Sequence, residues 1–268
     1  MKKYTFSLFL LLLLGACDAA KRVPDGSYLL NKVKIKTDTK GIGESELKPY
    51  LRQRPNSSML LFGRVRLHMY NIPENDSTWL NRQLRKFGEP PVLYSDRLTG
   101  LSMEQIRLQM NNKGYLNAEV DTSVVKKNKK ANVTYTVTGH EPYRVRSFQD
   151  TIRSADTTIY AILKDKNKLE ILRERDIYDQ EELQKGSITM AAELRNNGYY
   201  NFSKDNFYYL VDSTLRSHQV DITLGLNNPT DSTLHKQYKI KNVTVFNGID
   251  PIILRDSARH YKLDTVQY

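Results

Sequence analysis

The stretch that decides the fold is Met110-Asn-Asn-Lys-Gly-Tyr-Leu116, because nearly the same sequence returns as Leu194-Arg-Asn-Asn-Gly-Tyr-Tyr200. Each copy follows a segment with helical spacing of apolar residues and precedes a segment in which apolar and polar residues alternate. Gly114 and Gly198 are 84 residues apart, and glycine readily adopts the left-handed conformation that ends a helix. The repetition predicts two copies of one small supersecondary unit.

The segment before each glycine is predicted to be a helix. In the first copy, Ser102 and Gln105 have the spacing of a capping box, and in the second copy Asp179 and Glu182 supply the cap. The apolar stripes consist of Met103, Ile106 and Met110 in the first helix and of Leu183, Met190, Ala191 and Leu194 in the second. Each helix is therefore expected to bury one face and to stop at its glycine.

The segment after each glycine is predicted to be an antiparallel hairpin with one buried face. The polar turns are Lys127–Lys130 in the first copy and Ser213–Ser217 in the second. The alternating residues are Leu116, Ala118, Val120, Thr122, Val124, Val133, Tyr135 and Val137, and then Phe207, Tyr209, Val211, Val220, Ile222 and Leu224. We assign Tyr115 and Tyr199, which directly follow the two glycines, to the domain cores.

Residues 1–17 resemble the signal peptide of a bacterial lipoprotein. A short basic head precedes the apolar run Phe6–Leu14, which is too short for a permanent membrane helix. Leu14-Gly-Ala-Cys17 resembles a lipobox, in which the cysteine is acylated and becomes the first residue of the mature protein. Cys17 is the only cysteine, so an internal disulfide is excluded. We expect Cys17 to carry a lipid such as palmitate, and a free buried thiol is the alternative.

The net charge of +11 is unevenly distributed along the chain. Between Lys21 and Tyr70 there are eleven Lys or Arg residues and four Asp or Glu residues. Such a basic surface suits nucleic acid, an acidic chain or anionic lipid headgroups. Because an exported lipoprotein rarely meets nucleic acid, the sequence favours a membrane surface or simple solvation of the charges, with no nucleic acid partner.

The rest of the first repeat is less regular. Residues 18–27 are predicted to form a tether, Tyr28–Thr37 a strand, and Glu44–Arg54 a short helix that ends at Pro55. The segment at about 56–100 has mixed secondary-structure signals, which indicate an insertion. Helices are expected within it at Leu61–Asn71 and Trp79–Phe87. The first domain is thus expected at 28–140.

The second repeat is predicted at 143–228 and opens with a strand from Tyr143 to Ile152, followed by a helix at Thr157–Lys164. After a turn-rich linker at Asn227–Asp231, the opening strand recurs at Tyr238–Val245, with a bulge near Lys241 and Asn242. A third unit is therefore expected to start at 238–268, and its missing hairpin indicates a fragment or a truncated product.

The order strand, helix, helix, strand, strand, with Gly-Tyr before the hairpin, resembles the POTRA domain, the periplasmic repeat of the BamA and TamA superfamily. The lipobox, Val23–Leu30, Trp79, Phe87-Gly-Glu-Pro-Pro-Val92 and Asn112-Lys-Gly-Tyr115 are similar to the TamL lipoproteins of Bacteroidetes. The resemblance implies an α+β fold class of tandem POTRA-like β-α-α-β-β modules, the first with an insertion and the last incomplete. The motif residues would be Gly114, Tyr115, Gly198 and Tyr199.

The resemblance also implies a function and a place in the cell. The chain would be a lipid-anchored scaffold of the cell outer membrane with its domains in the periplasm, beside a C-terminal β-barrel that this sequence lacks. Its partners would be unfolded outer-membrane proteins or inner-membrane subunits, received by strand addition to a sheet edge. The candidate edges are the opening strands at 28–37 and 143–152 and the hairpins at 116–138 and 205–225.

Catalysis is not expected from the sequence. The histidines have no metal-ligand spacing, and no phosphate-binding glycine loop or nucleophile motif occurs, so we predict no catalytic, metal or cofactor site. The histidines are His68, His140, His218, His235 and His260. The acidic cluster of Asp176, Asp179, Glu181 and Glu182 lies at a helix start, where capping explains it. The alternative function is a free-standing lipoprotein that binds a polyanion or glycan through its basic N-terminal region.

Overall fold

The computed structural model describes residues 19–59, 63–75, 77–214, 217–230, 233–246 and 265–267. The predicted signal peptide and Cys17 lie outside these residues. The chain is a mixed α+β protein with two three-stranded sheets, which confirms the predicted fold class. It divides into two compact units. Unit 1 comprises Met1–Arg146, Arg175–Glu181 and Ser213–Val220, and unit 2 comprises Ser147–Glu174, Glu182–Asp212 and Asp221–Tyr268.

The first sheet has the strand order β1-β3-β2, with β3 in the centre. The elements up to its end are β1 (Leu29–Thr37), α1 (Glu44–Leu47), α2 (Val65–Asn71), α3 (Trp79–Phe87), α4 (Asp96–Asn112), β2 (Glu119–Lys127) and β3 (Lys130–Thr138). Strand β1 pairs with β3 in parallel, and β2 pairs with β3 in antiparallel. Asn128 and Lys129 have φ of 50° and 52°, as a tight two-residue hairpin turn requires.

The core of unit 1 lies between the first sheet and helix α4. Ile106 and Met110, which are one turn apart on α4, are fully buried against the inward face of the sheet. The buried sheet residues include Leu30, Ile35, Val133, Tyr135 and Val137. Each such side chain contributes about 1.5–3 kcal/mol through its removal from water. The predicted hairpin of the first repeat is confirmed, and its predicted inward-facing residues are buried or partly buried apart from Thr122, which is exposed.

The second sheet has the strand order β4-β6-β5. The remaining elements are β4 (Arg144–Asp150), α5 (Ile152–Ala155), α6 (Thr157–Asp165), α7 (Gln180–Asn196), β5 (Phe207–Asp212), β6 (Gln219–Leu226), β7 (Thr244–Phe246) and β8 (Thr265–Gln267). The buried cluster of unit 2 joins Ile159 and Leu163 of α6 to Met190 and Leu194 of α7. Strands β5 and β6 form the predicted antiparallel hairpin.

The predicted start of the first long helix is wrong. Helix α4 begins at Asp96, and the hydroxyl of Ser95 caps it by accepting the N–H of Leu98 at 3.3 Å. Ser102 is instead buried within the helix, where its hydroxyl donates to Leu98 O at 2.7 Å and accepts the N–H of Arg52 at 2.9 Å. A serine whose hydroxyl finds these partners is tolerated inside a helix.

Three other predicted elements differ from the structure. The helix predicted at Glu44–Arg54 is only α1 followed by a 3-10 turn at Lys48–Tyr50, because Pro49 lacks the N–H that would continue it. Ile152 leaves the strand and opens α5, where it is buried in the core. Residues 238–243 form no strand, and β7 begins at Thr244, where β8 supplies a partner.

The segment 58–88 is closed at its base by side-chain hydrogen bonds. The buried Asn56 donates from Nδ2 to Pro90 O at 2.7 Å and accepts the N–H of Val92 at 3.0 Å. The N–H of Ser57 donates to Glu89 Oε2 at 3.0 Å. Burial raises the pKa of Glu89, but the hydrogen bonds from Ser57 and Asn56 outweigh it, so this pKa lies below its usual value. Helices α2 and α3 therefore lie in a segment whose two ends are held together.

Candidate functional site

The two glycines adopt the same conformation and meet the same kind of neighbour. Gly114 has a φ of +87° and Gly198 a φ of +93°. A Cβ on Gly114 would lie 2.4 Å from Tyr178 O, and one on Gly198 would lie 2.6 Å from Tyr238 O. Both positions thus require glycine for two reasons, namely the left-handed backbone and the close approach of a second stretch of backbone.

The two tyrosines that follow lie in equivalent surroundings. Tyr115 and Tyr199 are buried in the cores of units 1 and 2, respectively. The N–H of Tyr115 donates to Met110 O at 2.9 Å, and that of Tyr199 donates to Leu194 O at 3.0 Å. Burial raises the pKa of both phenols. The junctions therefore repeat in backbone conformation, in hydrogen bonding and in packing.

Each junction also holds the chain that follows it. Gly114 O accepts the N–H of Tyr143 at 2.8 Å, and Gly198 O accepts the N–H of Tyr238 at 2.7 Å. Tyr143 and Tyr238 stand at the two places where the sequence predicts an opening strand. Sequence reasoning missed this contact, although a tyrosine at the start of each opening segment was a visible signal.

A short extended segment covers the outer edge of β1 at its start. Tyr94 N–H donates to Tyr28 O and Leu30 N–H donates to Val92 O, both at 2.8 Å. The segment that contains Val92 and Tyr94 leads directly into helix α4. The first residues of β1 are therefore unavailable to an added strand.

The same cover recurs at the start of β4. Tyr178 N–H donates to Tyr143 O at 2.9 Å, and Val145 N–H donates to Asp176 O at 2.9 Å. The covering residues 176 and 178 are 84 positions after 92 and 94, which is the spacing of the two junction glycines. This repeated ladder was not predicted from the sequence.

Strands β1 and β4 are covered at their starts, whereas no described segment pairs along the outer edges of β2 and β5. Among the described strands, β2 pairs only with β3, and β5 pairs only with β6. Strand β2 is nine residues long and mostly exposed, whereas β5 has six residues. Val125 of β2 is 58% exposed although it is apolar. A long, solvent-facing edge strand with unpaired backbone groups is a template for pairing with another chain.

A charged cluster in unit 1 involves the acidic residues that sequence reasoning assigned to capping. Lys113 Nζ lies 3.1 Å from Asp179 Oδ2 and 2.7 Å from Glu181 Oε2. Burial lowers the pKa of Lys113, but hydrogen bonds to Glu181 and Asp179 outweigh it and leave the pKa above its usual value. Asp179 also accepts the N–H of Glu181 at 2.8 Å, as a helix cap does.

The described residues offer no arrangement suited to metal binding, since no group of three His, Cys, Asp or Glu side chains among them converges. His218 lies 3.4 Å from a Glu141 carboxylate oxygen, and its ring packs edge-on against Tyr143 at 5.3 Å between centroids. His235 packs on Phe202 at 4.6 Å. Within the same part of the chain, every helix is too short or too polar to pass through a lipid bilayer.

Solved structures that match the chain include two of BamA and one of Omp85. BamA POTRA3-5 of Haemophilus influenzae has a TM-score of 0.39 and 15% identity, over 92% of this chain and 98% of that one. BamA of Haemophilus ducreyi lacking POTRA domains 1-3 has a TM-score of 0.35 and 15% identity, over 75% and 29%. POTRA1-2 of the periplasmic domain of Omp85 from Anabaena has a TM-score of 0.28 and 12% identity, over 75% and 96%.

A search of curated protein sequences found no match to the chain. A scan against family models matched a segment that starts at the residue before β1 and ends at the residue after β3. Residues 28–139, which hold the first sheet, helix α4 and the first glycine-tyrosine junction, match the POTRA family, described as surface antigen variable number repeat.

Proposed function

We propose that this chain is a periplasmic POTRA scaffold of an outer-membrane assembly protein, which receives unfolded outer-membrane proteins or partner subunits beside a β-barrel. The uncovered edge of β2 carries the proposal. It lies within the segment that matches the POTRA family, and it presents nine consecutive residues for backbone pairing. Strand addition draws its affinity from main-chain hydrogen bonds, which suits a scaffold that handles many sequences.

The choice of β2 over the other candidate edges follows from what covers each of them. The starts of β1 and β4 are already paired with the segments that precede helices α4 and α7. Strand β5 is shorter by three residues than β2. Of the four candidates named from the sequence, the hairpin at 116–138 is therefore the best edge for a partner strand.

Single proline substitutions along β2 test this proposal. Proline removes one N–H, and alternate residues of an edge strand turn their N–H toward the neighbouring strand or away from it. Of Thr122→Pro, Ser123→Pro, Val124→Pro and Val125→Pro, two are expected to disrupt pairing with β3. The other two variants should keep the circular dichroism spectrum of the original chain. They should no longer bind a peptide in which apolar and polar residues alternate as in an outer-membrane strand, and NMR measures this binding.

The matched control is Val125→Ser, which changes the exposed side chain and leaves the backbone N–H in place. It should bind the peptide nearly as well as the original chain does, because the affinity comes from the main chain. Folded proline variants that still bind the peptide with unchanged affinity would refute β2 as the docking edge.

The lipid anchor and the division into domains belong to the same proposal. We place the acyl group on Cys17, a tether at 18–27, POTRA-like domains at 28–140 and 143–228, and the start of a third at 238–268. Mass spectrometry of protein from the outer-membrane fraction should find an acylated residue 17. An unacylated residue there would remove the anchor but not the edge.

One observation supports the alternative in which the basic N-terminal region binds a polyanion. Lys32, Lys34 and Lys36 are exposed and share one face of β1, while Val33 and Ile35 turn inward. The test is binding to an acidic polysaccharide. If the double substitution Lys34→Gln with Lys36→Gln abolishes this binding while the strand peptide still binds, the chain has this function in addition to strand binding.

A further inference from the structure

Helix α3, in the loop closed by Asn56, exposes an unusual amount of apolar surface. Trp79 is 67% exposed, and Leu80 and Phe87 are each 59% exposed. Leu80 and Phe87 are seven residues apart, which places them on the same face of a helix about two turns from each other. The exposed residues Arg82 and Lys86, one turn apart, lie on the adjacent face beside Trp79.

The opposite side of α3 is held in place, so its apolar face cannot simply turn inward. Helices α2 and α3 pack against each other, and Leu84 is partly buried. The Arg85 guanidinium lies over the Tyr70 ring at 5.8 Å and donates to Pro73 O at 3.4 Å. Arg66 Nε donates to Phe87 O at 3.3 Å. Trp79, Leu80 and Phe87 therefore point to solvent because the other face of their helix is already occupied.

Helix α2 connects this surface to the beginning of the described chain. Ala19 O accepts a hydrogen bond from Asn71 Nδ2 at 3.1 Å, and Leu67 packs with Ala20 and Val23 in a small buried cluster. Ala19 comes two residues after Cys17, and two residues span at most about 7 Å. The exposed helix is thus one packing layer away from the residues that lead to Cys17.

We infer that helix α3 lies in the surface of an anionic lipid bilayer, with Trp79, Leu80 and Phe87 among the acyl chains and Arg82 and Lys86 at the headgroups. Tryptophan, leucine and phenylalanine beside cations are the composition of interfacial helices. The two cations complement a negatively charged membrane surface. The inference rests on the proposed lipid anchor for the nearness of the bilayer, and it adds a second, reversible contact to that anchor.

Trp79 makes the inference directly measurable, because it is the only tryptophan of the chain. The mature acylated protein is incorporated into vesicles of phosphatidylcholine, with or without phosphatidylglycerol. With the anionic lipid, the emission of Trp79 should shift to the blue and should be protected from acrylamide quenching. Each cation near an anionic membrane surface contributes about a factor of five to binding. The double substitution Arg82→Gln with Lys86→Gln should therefore lower the equilibrium constant for insertion of helix α3 into the bilayer surface roughly thirtyfold.

Two control variants separate this helix from general charge and hydrophobicity. Lys34→Gln with Lys36→Gln removes the same charge from β1 and should leave the emission shift unchanged. Leu80→Ser should reduce the shift, whereas Ile188→Ser, at a residue that is 51% exposed on α7, should not. Unchanged circular dichroism in all variants shows that they are folded.

The outcomes distinguish the helix contact from the anchor. If the protein stays with the vesicles while Trp79 keeps the emission spectrum that it has in water, the helix contact is overturned and the anchor is not. A shift that appears only when an unfolded polypeptide is added would make α3 a protein-binding surface and likewise overturn the inference. A shift of equal size without phosphatidylglycerol would overturn the role of the two cations.

Discussion

Replacing Gly114 by alanine should destabilise unit 1 strongly, although it adds only one methyl group. An alanine in the left-handed conformation costs about 1–2 kcal/mol. The new Cβ would also lie 2.4 Å from Tyr178 O and 2.9 Å from Ile177 Cγ2, so a second stretch of backbone must move. Overpacking of this kind costs about 1–3 kcal/mol. Together, the two effects predict a loss of roughly 2–5 kcal/mol.

The assay is thermal and urea unfolding of the full chain, followed by circular dichroism. A loss of 2–5 kcal/mol corresponds to a midpoint lowered by roughly 5–15 °C for a unit of this size. The control is Gly100→Ala in the second turn of helix α4, where an added Cβ meets no atom within 4 Å. That variant should be stabilised by about 0.5–1 kcal/mol, because alanine favours a helix over glycine.

The opposite signs of the two substitutions make the reasoning refutable. Equal effects of Gly114→Ala and Gly100→Ala, or an unchanged unfolding midpoint for Gly114→Ala, would show that neither the left-handed backbone nor the contact with Tyr178 limits this position. The helix would then end at Asn112 for another reason, and the match between the two junctions would lose its physical basis.

Two further predictions concern titrating groups of unit 1. Lys113→Met should cost about 1–2 kcal/mol, because it leaves two carboxylates without their shared cation in a partly buried site. The pKa of Lys113 is raised, so the difference in unfolding free energy between the two proteins should stay constant from neutral pH to about 10.4. It should shrink at higher pH. Burial and a hydrogen bond to Asp96 raise the pKa of Tyr94 to about 12, so stability from its neutral phenol should be lost between pH 10 and 12. Tyr94→Phe should remove that part of the pH dependence and one late step from the phenolate absorbance titration.

The repeat in the sequence predicted more of the fold than the local helix signals did. Applied to the cap at Asp179, the 84-residue spacing of the glycines leads to Ser95, the observed cap of α4, although the sequence prediction did not use it. The capping-box spacing of Ser102 and Gln105 predicted a different start for the helix. Pairs of polar residues three positions apart also occur inside helices, as this pair does. Local patterns decide between helix and strand well, whereas element boundaries depend on partners that only the fold brings together.

Contacts between segments that are far apart in the sequence could not be predicted from the periodicity of apolar residues. The segment before α4 covers β1, and this contact joins residues more than sixty positions apart, for which the alternation of apolar residues carries no signal. The Lys113 cluster is similar, since Asp179 and Glu181 have a sufficient local explanation as capping residues. A residue that satisfies one role locally conceals a second role until the fold is known.

The insertion shows why the two proposed surfaces can act independently. Tyr28 and Tyr94 are 66 positions apart, whereas Tyr143 and Tyr178 are only 35 positions apart, and yet both pairs form the same hydrogen bond. Lengthening a surface loop adds little closure entropy, and Asn56 fixes its base, so the module absorbs α2 and α3 without changing the register of its sheet. Strand β2 is at the edge of that sheet and does not pair with the described residues of the insertion. A proline in β2 that blocks a partner strand should therefore leave the response of Trp79 to vesicles intact, because the two surfaces depend on different parts of the module.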